Sequence, residues 1–213
     1  MSAHPRHLSA RRSAAVRRRH VRRRVVAIIA VIGLAGVAAE LIVPAVHDAV
    51  QEITLPLRHE DIIRQQAADK HVDPSLIAAV IYTESHFRDQ TSHAGAKGLM
   101  QITPDTARYI AHLSGGSAFE LDDLATPQVN ISYGTYYLRY LLKRYDGNEL
   151  LALAAYNGGE GNVDRWLESA GSPRTLHPAD IPFPETRTYV GRVEKAKRDY
   201  RKAYASELGL SGV

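Results

Sequence analysis

A mainly helical domain of about 150 residues, set behind one apolar N-terminal segment, is what the sequence predicts. Three observations carry this. Proline follows a capping-type residue at Asp73-Pro74, Thr103-Pro104 and Thr126-Pro127, a repeated signature of helix starts. Runs with the two-residue period of strands are missing, apart from a short candidate hairpin in residues 86–100. An uncharged run follows directly on a cluster of arginines near the N-terminus.

Nine arginines fall between Arg6 and Arg24, and "VVAIIAVIGLAGVAAELIVPAV" occupies residues 25–46. A transmembrane helix needs roughly 20 apolar residues, and this stretch approaches that length with only Glu40 inside it. Two readings fit. In the first, residues 1–24 are a basic cytoplasmic tail and residues 25–46 a single-pass anchor. Arginines on one side only place the N-terminus inside and the rest of the chain outside the membrane. In the second, the segment is a signal peptide cleaved near Ala39, at the small-residue sequence Val37-Ala38-Ala39. The length of the basic region favours the anchor. Both readings put residues 47–213 on the outer side of the cytoplasmic membrane.

Charge supports this division. From His47 onward there are 18 Lys plus Arg against 22 Asp plus Glu, so the net +4 of the whole chain belongs to the basic tail. A mildly acidic domain is a poor nucleic-acid binder, and no nucleic-acid partner is expected. The absence of cysteine excludes disulfides and thiolate metal sites. No His-Glu-x-x-His, Gly-x-Ser-x-Gly or phosphate-binding glycine loop occurs, so no metal, cofactor or serine nucleophile is expected.

The elements then follow in order. Residues 47–58 contain Pro56 and little periodicity and read as a linker. Helices are expected at residues 59–71, 74–85, 103–112, 126–145, 149–157, 161–170 and 184–205, with Asp146-Gly147-Asn148 as a turn and residues 206–213 as a tail. Residues 59–205 are therefore the candidate folded domain.

Within the second of these helices, "AAVIYTESHF" contains a misfit. Glu84 lies four residues after Val80 and seven after Ile77, on what reads as the apolar stripe. One explanation is an ion pair, with Arg88 nearest in sequence. The other is a carboxylic acid held protonated. Burial disfavours the charged form, as does the negative end of a helix dipole, and both raise a carboxyl pKa toward the range a general acid needs.

The neighbouring motifs decide between them. Glu84-Ser85 ends a helix. "SHAGAKGLMQ" follows at residues 92–101, "AYNGG" at 155–159 and "ETRTYV" at 185–190. In this order and spacing, over about residues 60–200, the sequence resembles the Slt-type (family 1) lytic transglycosylases, relatives of goose-type lysozyme. The first motif alone carries little information; four in sequence are specific. The resemblance implies a lysozyme-like helical fold with a groove for a sugar strand, and Glu84 as the catalytic acid. It implies that Ser85, and in the second motif Ser92, Gly98, Met100 and Gln101, border the substrate. Gly95 and Gly98 would let a polymer approach the backbone, and Gln101 would bond a sugar amide. It further implies groove positions for Tyr156, Asn157, Glu185 and Tyr189. Each has a plainer reading: turn glycines, a helix C-cap at Asn157, a core aromatic at Tyr156, and a dipole-favoured acid in the first helical turn at Glu185. Thr103 stands where methionine is frequent in the family, which alters one sugar contact and not the chemistry.

The implied reaction is cleavage of the β-1,4 bond between N-acetylmuramic acid and N-acetylglucosamine of peptidoglycan. Most glycosidases use two carboxylates. No second acid lies in the motifs; Asp89 and Asp105 are the nearest in sequence. The family solution is substrate assistance by the 2-acetamido group. Glu84 then returns as base to the sugar's 6-hydroxyl, closing a 1,6-anhydro ring. Two rivals stay open: a hydrolytic muramidase of the same fold, and a non-catalytic peptidoglycan-binding module. The partners expected are peptidoglycan glycan strands and the membrane through residues 25–46.

Overall fold

The computed structural model describes residues 53–115, 119–171 and 176–210, with single positions at 33, 40, 46 and 50. The chain divides into two compact units at residues 54/55. In the first, the described positions 33, 40, 46, 50, 53 and 54 are helical, and Thr54 Oγ1 donates to the Val50 carbonyl at 2.7 Å. The basic tail (1–24) and almost all of the expected membrane segment (25–46) lie outside the described residues. Among the described residues, no helix is long and apolar enough to cross a membrane.

The second unit holds seven α-helices among its described residues: α1 (Glu60–Lys70), α2 (Pro74–Ser85), α3 (Pro104–Ser114), α4 (Pro127–Arg144), α5 (Glu149–Gly158), α6 (Glu160–Ser169) and α7 (Pro184–Ala203). Two short 3₁₀ turns, Leu121–Ala125 and Pro178–Asp180, were not foreseen, since five and three residues are too few to show a period. Where a hairpin was expected, residues 86–102 form only two isolated antiparallel bridges, Thr91 with Lys97 and Lys97 with Ile102.

Two of the three proline-led starts are capped as the sequence suggests. The Asp73 carboxylate accepts from Ser75 N at 2.9 Å, and Thr103 Oγ1 accepts from Thr106 N at 3.2 Å. Thr126 instead turns its hydroxyl back to the Asp123 carbonyl, at 2.8 Å, because the preceding 3₁₀ turn offers that acceptor. Asn148 caps α5 through Leu151 N at 3.2 Å.

α2 is the centre of the domain. It packs most extensively on α7, while α5 is gripped by α4, α6 and α7. Residues 75–81 are all buried, so α2 carries no single apolar stripe: its middle is core on every side. The expected linker and tail also join the domain. Tyr200 and Tyr204 on α7 donate hydroxyl hydrogen bonds to the Pro56 and Leu55 carbonyls, Leu208 is buried, and Arg64 on α1 bonds the Glu207 carbonyl. The 55–58 and 206–210 segments are thus packed pieces of the fold.

Candidate active site

Glu84 sits in the last turn of α2, where the helix emerges from the core, and is half-buried. The chain leaves the helix through two consecutive non-glycine residues in the left-handed region, His86 (φ 53°) and Phe87 (φ 58°). Such conformations are costly and persist only where packing holds them. Phe87 is buried with its ring 6.0 Å from that of Tyr200, and the His86 ring lies 4.6 Å from Tyr82. The end of α2, and the carboxylate on it, are fixed by these anchors.

Burial pushes the Glu84 carboxyl up to about 7, with the Tyr189 hydroxyl pulling in the opposite direction. That hydroxyl is directed at Glu84 without meeting strict hydrogen-bond geometry, and it remains buried with no bonded partner. Among the described residues Glu84 forms no ion pair, and Arg88 is exposed, so the ion-pair explanation of this glutamate fails. Of the two acids nearest in sequence, Asp89 and Asp105, both are exposed and Asp105 is paired with Arg108 at 2.8 Å; neither is among the groups that perturb Glu84.

The second motif is a tight loop rather than an open track for a polymer. Ser92 and Ala96 close its first turn by two bonds, Ser92 N to Ala96 O at 2.9 Å and Ala96 N to Ser92 Oγ at 3.1 Å. Gly98 is buried at φ +75°, and a Cβ there would lie 2.1 Å from Asn130 Nδ2 and 2.8 Å from the Leu124 carbonyl. Its missing side chain makes room for Asn130. Met100 is fully buried over Gly134, whose own Cβ would fall 2.3 Å from the Met100 sulfur. Ser85 is buried too, and its hydroxyl bonds the Leu99 carbonyl at 2.7 Å. Ser85, Gly98 and Met100 are thus buried and set the loop's position against α2. Gln101, left-handed at φ 48°, spends both amide hydrogens on Gln90 O (2.9 Å) and Gly98 O (2.8 Å), leaving only its carbonyl oxygen to accept a bond.

The residue that holds this loop was not foreseen. Asn130, on α4, is buried; its Oδ1 accepts from Met100 N at 2.8 Å, and its Nδ2 donates to Lys97 O at 2.9 Å and Leu124 O at 3.0 Å. An asparagine inside a helix, 30 residues downstream, gives no local signal of this role; its lack of helix preference is the only hint.

The third and fourth motifs form the facing side. Tyr156, near the end of α5, donates to the Met100 carbonyl at 2.9 Å and lies within electrostatic reach of Glu84. Asn157 is exposed, and its Oδ1 accepts from Thr186 Oγ1 at 2.8 Å, joining the end of α5 to the start of α7. Gly158 lets Thr186 and Trp166 come close, at 3.0 and 3.3 Å from where its Cβ would be. Glu185 is exposed in the first turn of α7, and Tyr189, one turn deeper, is buried. Thus Glu84, Tyr156, Tyr189 and the Leu99–Met100 backbone converge. Ser92, Asn157 and Glu185 sit farther out on the loop and the two helix ends.

A half-buried, protonatable carboxyl between a pinned loop and two tyrosines has the chemistry a general acid needs. Residues 61–177 match the transglycosylase SLT domain, more than half of the chain, and the chain belongs to that family. The soluble lytic murein transglycosylase of Escherichia coli is 34% identical over 154 residues, covering 70% of this chain and 24% of that protein. Membrane-bound lytic murein transglycosylase C of Yersinia pestis is 33% identical over 164 residues, covering 66% and 46%. The crystal structure of the 70 kDa soluble lytic transglycosylase from E. coli superposes with a TM-score of 0.67 at 30% identity, over 75% of this chain and 26% of that one. An inactive glutamate-to-glutamine mutant of lytic transglycosylase Slt from Pseudomonas aeruginosa superposes at 0.65, with 34% identity over 71% and 25%. The chain spans about a quarter of the length of the first of these curated relatives.

Proposed function

We propose that this protein is a peptidoglycan lytic transglycosylase, cleaving the β-1,4 bond between N-acetylmuramic acid and N-acetylglucosamine without water. The observation that carries the reading is Glu84: a single carboxyl, half-buried at a fixed helix end, with its pKa pushed up to about 7 and no other carboxylate among the groups that perturb it. A carboxyl in that state carries a proton to the leaving oxygen and is then ionised, ready to take one back. With no second carboxylate among the described groups that perturb Glu84, the charge at the cleaved centre falls to the substrate's own 2-acetamido carbonyl. The ionised Glu84 then removes the proton of the muramic 6-hydroxyl, which closes on C1. Tyr189 Oη, aimed at the carboxyl and otherwise unbonded, is placed to favour that ionised state. Gln101 through its carbonyl oxygen, Ser92, Tyr156, Asn157 and Glu185 are the proposed glycan contacts. The relatives' names, and the inactive glutamate-to-glutamine mutant of the Pseudomonas protein, support the same reading.

The chain is further proposed to be anchored by residues 25–46, with its N-terminus cytoplasmic and the domain outside, on the strength of the arginine asymmetry. The membrane-bound Yersinia relative is a precedent within the family.

Glu84→Gln tests the catalytic assignment, since it keeps the shape and removes only the transferable proton. Wall-clearing activity should vanish while the melting temperature holds. Retained activity would remove Glu84 from the mechanism, and loss of the fold would return it to a structural role.

A further inference from the structure

α7 has two unlike sides. Thr186, Tyr189, Val190, Val193, Ala196 and Tyr200 are buried against the domain. The opposite side, over the second half of the helix, is cationic. Arg192, Lys195, Arg198 and Lys202 follow one another at three- and four-residue steps, and all four are exposed. Asp199 is the acid among them, and its carboxylate takes up Lys195 at 2.5 Å. Glu194 and Arg201 lie on the flanks, Arg201 paired with Asp73 at 2.7 Å. Among the described residues Arg192, Arg198 and Lys202 form no ion pair.

This is not the general character of the domain. Acids outnumber bases from His47 onward, yet α7 holds seven Lys or Arg against three Asp or Glu. Nor is it an effect of the helix end. The attraction of cations to the negative end of a helix dipole is confined to the last turn, which holds Arg201 and Lys202 but not Arg192, Lys195 or Arg198. The result is a cationic strip about 15 Å long, three of whose charges are unpaired.

The place of the strip identifies its occupant. The C-terminal end of α7 is where the chain enters the domain: Tyr200 and Tyr204 donate to the Pro56 and Leu55 carbonyls. Val46, the end of the proposed anchor, is nine residues before Leu55, a reach of at most about 30 Å when fully extended. An anchored chain therefore keeps this end of α7 close to a lipid surface. A short tether makes a weak contact effectively intramolecular. Each basic side chain at an anionic bilayer surface strengthens binding about fivefold.

We infer that the Arg192–Arg198–Lys202 face of α7 docks the domain on anionic lipid headgroups of the membrane that anchors it. The inference rests on the anchored reading of residues 25–46. The strip is on the side of α7 opposite Tyr189, so the contact does not run through the Glu84 site. Docking limits the domain's swing on its tether and holds that site near the bilayer.

The test uses the full-length protein reconstituted in two kinds of vesicle: phosphatidylcholine alone, and an equal mixture of phosphatidylcholine and phosphatidylglycerol. The chain has no cysteine, so Ser206→Cys, exposed just beyond α7, takes a single dye. Resonance energy transfer to a lipid-borne acceptor then reads the distance from α7 to the bilayer. Transfer should be about twofold higher in the phosphatidylglycerol vesicles and should fall to the phosphatidylcholine level in high salt. The triple variant Arg192→Gln, Arg198→Gln, Lys202→Gln should lose the difference. Arg192→Lys with Arg198→Lys should keep it, which separates charge from any packing effect of glutamine. Equal transfer in the two vesicle types, or an unchanged signal in the glutamine variant, overturns the inference. So does transfer between dyes on separate copies that is the same in both vesicle types, which would make a second copy the occupant. If the wild-type protein does not float with phosphatidylcholine vesicles, the anchored reading has failed separately. Flotation with phosphatidylglycerol vesicles, with and without the glutamine substitutions, then reads the face alone, and identical flotation refutes it.

Discussion

The backbone N–H of Met100 donates a 2.8 Å hydrogen bond to Oδ1 of Asn130, a buried side chain on another helix. With the bonds from Asn130 Nδ2 to Lys97 and Leu124, it fastens the loop opposite Glu84 to the core. The same residue explains Gly98, which vacates the space that the Asn130 amide fills.

Asn130→Ala should therefore cost on the order of 3 kcal/mol, because it strands the buried Met100 N–H and removes a bond from the Leu124 and Lys97 carbonyls, of which Lys97 keeps its bond from Ile102 N. Gly98→Ala should cost about as much, by overlap with Asn130 and by its positive φ. Urea unfolding of each variant measures this. A change within about 0.5 kcal/mol, the range of an ordinary surface substitution, would mean the loop is held by something else.

The pH profile should report Glu84. Activity requires the protonated acid in the free enzyme, so kcat/KM should fall as pH rises through about 7. Stability should move in the same sense. The folded-state pKa is raised above the unfolded value of about 4.3, so the contribution is fully present below that value and is lost as pH climbs to about 7. The melting-temperature difference between wild type and Glu84→Gln should thus shrink or reverse over this window and level off above it. A difference independent of pH would show that Glu84 ionises as an ordinary surface carboxylate.

Asp73 behaves oppositely. Burial raises its pKa, but bonds from Ser75 and Arg201 and the charge of Lys197 outweigh this and hold it below the usual range. Its contribution is present above its unfolded pKa and is lost as pH falls through the folded one. Asp73→Ala should cost about 1–2 kcal/mol at neutral pH, through loss of the α2 cap and of the 2.7 Å Arg201 ion pair, and less in acid. Thermal melts at the two pH values check it; an equal cost at both would show that the carboxylate's charge is not what matters.

How far the sequence foretells this arrangement depends on the distance over which each feature is written. Caps are local, so Asp73-Pro74 and Thr103-Pro104 start helices where expected. Thr126 is a helix start as well, yet the acceptor that captures its hydroxyl comes from a turn too short to show in the pattern. The prominence of Glu84 is legible because a carboxylate among apolar neighbours is anomalous on its own helix. The reason usually given for such a position, an apolar stripe, is not what the structure shows: α2 is core on all sides, and Glu84 is the point where it leaves the core. Gly98, Met100 and Ser85 are in recognisable motifs, but a motif does not say whether a residue touches ligand or props the loop. Their burial depends on Asn130, Leu124 and Gly134, all distant in sequence.

The membrane orientation is open to direct measurement. With the N-terminus inside and the anchor uncleaved, an antibody to the C-terminus should find the protein in the membrane fraction, and protease added to spheroplasts should remove the signal. A soluble extracellular form beginning near Glu40 would favour signal cleavage, and a protected C-terminus would overturn the orientation.

The central claim is that Glu84 works alone and passes the glycosyl centre to the sugar's own hydroxyl. The muramic 6-hydroxyl is tethered to the reacting ring and holds the effective-concentration advantage of an intramolecular nucleophile, whereas water would need a second carboxylate to hold and activate it. Mass spectrometry of peptidoglycan digested by the full-length protein distinguishes the two. The account requires muropeptides ending in 1,6-anhydromuramic acid, lighter by one water than the hydrolytic product and inert to borohydride. Dominant muropeptides with reducible muramic ends would contradict it, and would show that water and not the 6-hydroxyl attacks the glycosyl centre.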